Sequence, residues 1–284
     1  MGQSRLFYFV QWSAIAVFVG RGWQHVYWEA PYRALLWDEE WMKWLVEGLL
    51  GMEWRVYASS PVVDQSIEHL ITLTGVFYFL CAVTALFIKR LGRAGRVVLY
   101  LGSLNLIFLA ALYCKEKFFF AGQFFEYTLQ WSAPVFLAVL ARKEVVGPRL
   151  FFWMKIAIAL TFTCHGLYAI GYYPRPGNFM EMVMNILPLQ EAGARHFLIA
   201  AGVLDFLASI LLFWPWRVSR LALAYTALWG FATTMARLLA YFHWVYWDTW
   251  LEQGLQEVLI RFPHFLIPAG LLAYFWPRRN EAAA

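Results

Sequence analysis

The chain has 284 residues, of which 62% are apolar, 20% aromatic and only 14% charged. Runs of about 20 apolar residues recur along it, a pattern that excludes an ordinary soluble enzyme and points to an all-α, polytopic membrane protein. The formal charge of +5 does not indicate nucleic acid, because the basic residues lie in short segments between apolar runs, where they set membrane orientation; the partner implied is the lipid bilayer.

In chain order, the apolar runs predict eight spans at 6–27, 68–88, 96–113, 119–141, 150–171, 195–215, 219–243 and 255–276. Each is near the ~20 residues that cross a bilayer. The first run starts after Arg5, continues past Gly20 and lacks an A-x-A-like cleavage site before the charged loop, so it reads as a retained span. In the long loop 28–67, Asp38 is placed to cap a helix through about Leu50, with Trp41, Trp44, Leu45 and Gly48 on one face. Such a helix suits the membrane interface, or a plug over the bundle mouth. Glu181 to Leu187 is a shorter candidate of the same kind, and Trp23, Trp28, Trp244, Trp247 and Trp250 suit an aromatic belt. Cys81, Cys114 and Cys164 have no C-x-x-C spacing, which indicates neither a thioredoxin-like site nor a disulfide framework.

Orientation follows from the loops. Arg5, Lys89, Arg90, Arg93, Arg96, Arg142, Lys143, Arg149, Arg217, Arg220, Arg278 and Arg279 fall on one side, against Glu144 and Glu281 alone among the acids. Both termini are therefore expected in the cytoplasm of a multi-pass protein of a bacterial inner membrane, with loops 28–67 and 172–194 periplasmic. The halves 1–145 and 146–284 read as copies. Gly20-Arg21-Gly22 matches Cys164-His165-Gly166; His69 with Gly75-Val76 matches His196 with Gly202-Val203; Glu126 with Gln130-Trp131 matches Glu257 with Arg261-Phe262, at offsets of 144, 127 and 131 residues. Four spans per copy make them parallel repeats, each a four-helix bundle.

Ionisable residues inside these runs are the functional signal, because an unpartnered charge in hydrocarbon costs roughly 2.5–3.5 kcal/mol on insertion scales. At 1.5 Å per residue, His165, Arg237 and Arg261 lie about 9 Å below the periplasmic helix ends, His264 about 13 Å and Asp205 about 15 Å. Glu257, Arg261, His264 and Pro268 share one helical face; Gly230, Thr233, Thr234, Arg237 and Tyr241 make a second stripe. In the first half Arg21, Glu126 and Gln130 keep the upper layer, but Tyr78 stands in place of Asp205. A pocket in the second half is expected, with His165 and Asp205 as catalytic candidates and Arg237, His264, Arg261, Glu257, Arg21 and Glu126 as ligand-binding ones. The same charges also suit neutralising pairs, Arg237 with Asp205 and Arg261 with Glu257, that tie helices together. Asp205, as a midplane carboxylate, is expected to pair with Arg237 or His165. No H-x-x-x-H or E-x-x-H spacing supports a metal, and bis-histidine haem between His165 and His264 ranks below a quinone.

At His165-Gly166 and Gly202-Val203-Leu204-Asp205, followed by Leu211-Leu212, the chain resembles the DoxX-like family of small four-span bacterial membrane proteins. It departs from the family in Asp205, where Glu is usual, and in Ala169, where Lys is expected. A more distant likeness is to the horizontally transferred transmembrane domain of vitamin-K-dependent carboxylases. The DoxX resemblance implies an inner-membrane protein linked to quinone or thiol redox chemistry, and the sequence leaves three functions open. They are a quinone-binding redox subunit, a carrier or receptor for a small anion or lipid headgroup, and a non-catalytic accessory subunit bound to other subunits of a membrane complex.

Overall fold

The computed structural model describes residues 2–142 and 147–275, and all regular structure among them is helical. Lys143, Glu144, Arg278, Arg279 and Glu281 of the orientation pattern lie outside the described residues. Four helices are long and apolar enough to cross a membrane: α5 (Pro61–Leu86), α6 (Ile88–Glu116), α9 (Pro148–Ile170) and α11 (Glu191–Leu211). The pair Trp244–Leu259 and Phe262–Phe275, bent by 45°, makes a fifth as a broken span. The chain is therefore a helical membrane protein.

The other expected spans fall short for identifiable reasons. Helices α1 (Gly2–Tyr27) and α12 (Trp216–Leu239) reach the length but carry polar groups such as Gln11, Arg21 and Arg237. The run 119–141 is not one helix, because it breaks at Tyr127 into α7 (Ala121–Glu126) and α8 (Thr128–Arg142), the latter only 15 residues long. The run 255–276 breaks likewise, between α13 (Trp247–Leu259) and α14 (Phe262–Phe275). Pro263 supplies the cause there: it has no N–H for the helix ladder, and the Arg261 amide turns to the Val258 carbonyl, 3.1 Å away.

Several helix ends pack against one another. Lys89 lies over the Phe7 ring at 4.3 Å, and Gln11 Nε2 donates to the Ala85 and Leu86 carbonyls at 2.9 and 3.1 Å. The start of α1 thus meets the end of α5 and the beginning of α6. Phe151 packs on Tyr274, 4.7 Å between ring centroids, and Lys155 Nζ donates to the Leu212 carbonyl at 2.8 Å. One end of the molecule accordingly gathers the basic helix termini.

Two helix crossings have the same construction. A methyl group on Gly22 would lie 3.1 Å from the Gly75 carbonyl oxygen and 3.0 Å from the Phe79 ring; one on Gly166 would lie 3.0 Å from the Gly202 oxygen and 2.9 Å from the Phe206 ring. Only glycine allows backbones this close. The crossings keep the expected offsets of 144 and 127. The last spans do not: α8 and α14 start at Thr128 and Phe262, each with proline as its seventh residue, Pro134 and Pro268. Those starts lie 134 residues apart, against the 131 between Glu126 and Glu257. The core runs through α1, α8, α9 and α14, with Phe18, Leu137, Ile158 and Leu271 fully buried.

In the loop, Asp38 caps α3 (Glu39–Leu49) as expected, accepting from the Trp41 amide at 3.0 Å, and its second oxygen takes the Lys115 ammonium. Helix α2 (Arg33–Leu36) precedes it and α4 (Trp54–Ser59) follows it. In the second loop α10 (Gly177–Ile186) buries Met182 and Val183 against the bundle instead of lying free in the interface.

The Gly202→Ala variant should lose about 1–3 kcal/mol by overpacking, since its methyl would sit 2.8 Å from Ile170 Cγ2. Gly48→Ala, with nothing within 4 Å, should be neutral or gain up to about 1 kcal/mol of helix propensity. Thermal melting in micelles measures both, and equal melting of the two variants would refute the close crossing. The Lys115 ammonium holds the Asp38 carboxyl below the usual carboxylate range. A depressed carboxyl stabilises above its unfolded pKa of about 3.9 and loses that contribution as pH falls through the lowered value. Amide exchange over residues 38–49 should therefore be flat from pH 7 to about 4, after correction for intrinsic rates, and rise below that.

Candidate functional site

One cavity of about 250 Å3 in the second half brings together His165, Asp205, Arg237, Arg261 and His264. Five of the eight residues singled out in the sequence thus converge on one space. Its remaining wall is mostly apolar: Phe162, Phe197, Leu198 and Trp229 from the spans, with Phe179, Met182, Val183 and Ile186 from α10.

The charged end is built on the helix break. Glu257 Oε2 accepts from Arg237 Nη1 at 2.7 Å and stands 3.5 Å from Arg261 Nη1, so one carboxylate serves two guanidiniums. The turn of the Arg261 amide toward Val258 leaves the Glu257 carbonyl, and Arg261 Nη1 takes it at 2.8 Å. His264 sits one turn on. Its Nδ1 is 2.9 Å from the Arg261 carbonyl oxygen, which makes Nδ1 the donor and leaves Nε2 as an acceptor in the neutral ring. The His165 ring stacks on His264, with centroids 5.3 Å apart and planes 20° apart; among the described residues nothing hydrogen-bonds to His165.

Asp205 finds a different partner from the one expected. It is buried, and Tyr225 Oη donates to its Oδ1 at 2.9 Å. Arg237 pairs with Glu257 instead, because the bend between α13 and α14 brings Glu257 against the end of α12, whereas Asp205 is the more deeply buried carboxylate. A phenol suits that depth, since it satisfies a carboxylate without burying a second charge. The Arg261–Glu257 pair is present as expected. Tyr225 and Trp229 were legible in principle: they extend the stripe of Thr233, Arg237 and Tyr241 backward in steps of four. The segment Glu181 to Leu187 reads in the sequence as an interface helix or a plug, and α10 takes the covering place; which of its residues face the cavity depends on how the loop folds back.

The first half holds its polar residues in a closely packed cluster. Arg21 is 2% exposed; it donates to Gln24 Oε1 at 2.6 Å and Gln130 Oε1 at 2.7 Å, and lies over the Tyr113 and Tyr127 rings at 5.3 and 5.1 Å. Tyr78 is fully buried, stacks on Phe18 and donates to Asn105. Glu126 accepts from Gln123 Nε2 at 2.9 Å and lies within Coulombic reach of Arg261, Arg237 and Arg21.

His25 is buried against Tyr78, while His69 and His196 are exposed. Among the described residues no group of three His, Cys, Asp or Glu side chains gathers to hold a metal. Bis-axial haem does not fit His165 and His264. Their ring faces touch, whereas two axial ligands must aim ring nitrogens at an iron with the macrocycle between them. Comparison of the chain with protein-family models, curated proteins and solved structures finds no match.

A double-mutant cycle on Arg237→Ala and Glu257→Ala should give a coupling of about 1–2 kcal/mol, the low end for a charged hydrogen bond because Glu257 is partly exposed. The same cycle on Arg237→Ala and Asp205→Asn should give a value near zero. Denaturation in micelles reads both, and the reverse order would restore the Asp205–Arg237 pairing.

Proposed function

We propose that the protein is a multi-pass inner-membrane subunit whose second half binds an amphiphilic ligand with a quinone-like headgroup. One observation carries this reading: a single apolar-walled cavity ends in two arginines and two histidines, with a buried carboxylate further in. A quinone ring is apolar on both faces and carries oxygens that need donors when oxidised and acceptors when reduced. Arg237 and Arg261 are fixed donors; His264 Nε2 and Asp205 are acceptors. His165 and Asp205 are the groups through which protons would be exchanged with the ring.

The eight-span, two-repeat organisation, with cytoplasmic termini and a periplasm-facing site, belongs to the same proposal. Its support is the matched glycine crossings at Gly22–Gly75 and Gly166–Gly202, the matched breaks before Thr128 and Phe262, and the basic residues shared by one set of helix ends. The resemblance to DoxX-like proteins points to the same chemistry. A second reading, a carrier or receptor for a small anion or lipid headgroup, draws on the charged end of the cavity, where the guanidiniums of Arg237 and Arg261 share the one carboxylate of Glu257. Uptake of labelled anions into proteoliposomes above the protein-free rate would favour it.

Solvent extraction of the purified protein should yield quinone in near-stoichiometric amount. The Arg237→Met variant should bind it roughly 10- to 100-fold more weakly, the worth of one charged hydrogen bond. An extract without quinone, joined to membranes without quinone-dependent activity, would remove the reading.

A further inference from the structure

Arg237 stands in the wall of two cavities, not one. The second, about 460 Å3, lies between the end of α12, the turn Trp244–Tyr246 and α13, and differs from the first in kind. Along α13 its lining residues Thr249, Trp250, Gln253 and Glu257 follow one helical face, with Tyr246 a turn earlier. That stripe continues through the helix break into Arg261 and His264, so one side of the broken span lines both spaces.

The hydrogen-bonding inventory of this vestibule is mixed and, at its charged pair, neutral. Arg237 and Glu257 bind one another at 2.7 Å. The Trp250 indole N–H is spent on the Leu238 carbonyl at 2.8 Å, which fixes the ring. The Tyr246 and Thr249 hydroxyls and the Gln253 amide bind no described residue. Two further wall residues hold unmet capacity: Arg237 Nε, a donor, and Asn178 Oδ1, an acceptor, are both buried without a partner. Arg237 and Glu257 are already committed to one another, so neither is left to hold an ionic ligand, and an apolar group would strand the amide and hydroxyls. A hydroxyl, which donates and accepts, suits every one of these groups, and the apolar face of a sugar ring suits a fixed aromatic wall.

From this lining we infer that the vestibule is a second binding site, for a neutral polyhydroxylated ligand of the sugar type, either as a free solute or as the headgroup of a glycolipid. The inference stands on the vestibule residues and does not rest on the quinone reading. At about 460 Å3 the space lies within the roughly 300–1,000 Å3 of small-molecule sites.

The test uses the full chain in phosphatidylcholine nanodiscs, prepared without glycoside detergents, with tryptophan fluorescence and calorimetry as readouts. Glucose, maltose and trehalose are titrated as free sugars, a glucosyl-diacylglycerol in the nanodisc is the lipid-linked arm, and sulfate and betaine are the charged controls. Saturable binding of a sugar is expected, weakened at least tenfold by Gln253→Ala and by Thr249→Ala, with melting and extractable quinone unchanged in both variants. Binding of the free sugars assigns a solute site, and binding of the glycolipid alone assigns a headgroup site. Binding of sulfate or betaine in place of both sugar arms, no saturable binding at all, or sugar binding indifferent to both substitutions would overturn the inference. Quinone content reports separately on the chamber, so either reading can fail without the other.

Discussion

A single carboxylate shared by two guanidiniums, at the point where the last span breaks, sets the geometry of the site. Arg237 and Arg261 are costly charges wherever water is scarce, and Glu257 alone receives both. The sharing works because the helix is interrupted. Pro263 withholds an N–H, the Arg261 amide turns back to Val258, and the Glu257 carbonyl is left for the guanidinium that would otherwise lack a second acceptor. Backbone irregularity at this depth is tolerated where it is buried in protein or lines a cavity, and here it lines two. The same contacts fix α12 against α13 and α14, and so place His264 beside His165.

The two halves answer the same problem differently. In the second, charge meets charge around an open space. In the first, Arg21 is held by amides, a phenol and two aromatic faces, and the space is filled by Phe18 and Tyr78. Where Asp205 keeps a carboxylate that must be hydrogen-bonded, Tyr78 brings a bulky ring and a hydroxyl satisfied by Asn105.

Much of this was written in periodicity. Asp38 before an amphipathic run gave a helix start that the fold keeps, and the face of Glu257, Arg261 and His264 lines the two cavities, Glu257 the vestibule and Arg261 and His264 the apolar chamber. Depth counting placed five ionisable residues at one level, and all five line one space. Pairing was less legible than placement. Asp205 and Arg237 share a wall without sharing a bond, because straight-helix depths ignore the bend that carries Glu257 to Arg237. The breaks before Thr128 and Phe262 were not legible for a related reason: the apolar runs 119–141 and 255–276 read as unbroken, with only Pro134, Pro263 and Pro268 to mark an interruption. Residues contributed by α10 were out of reach, since nothing local to Phe179 or Val183 says which surface the helix will cover.

The position of Arg237 also ties the two spaces together mechanically. One side chain stands in both walls, and its guanidinium is anchored to Glu257 at 2.7 Å. A shift of that ion pair therefore reshapes the polar vestibule and the apolar chamber at once, and neither space can change its outline at this point without the other.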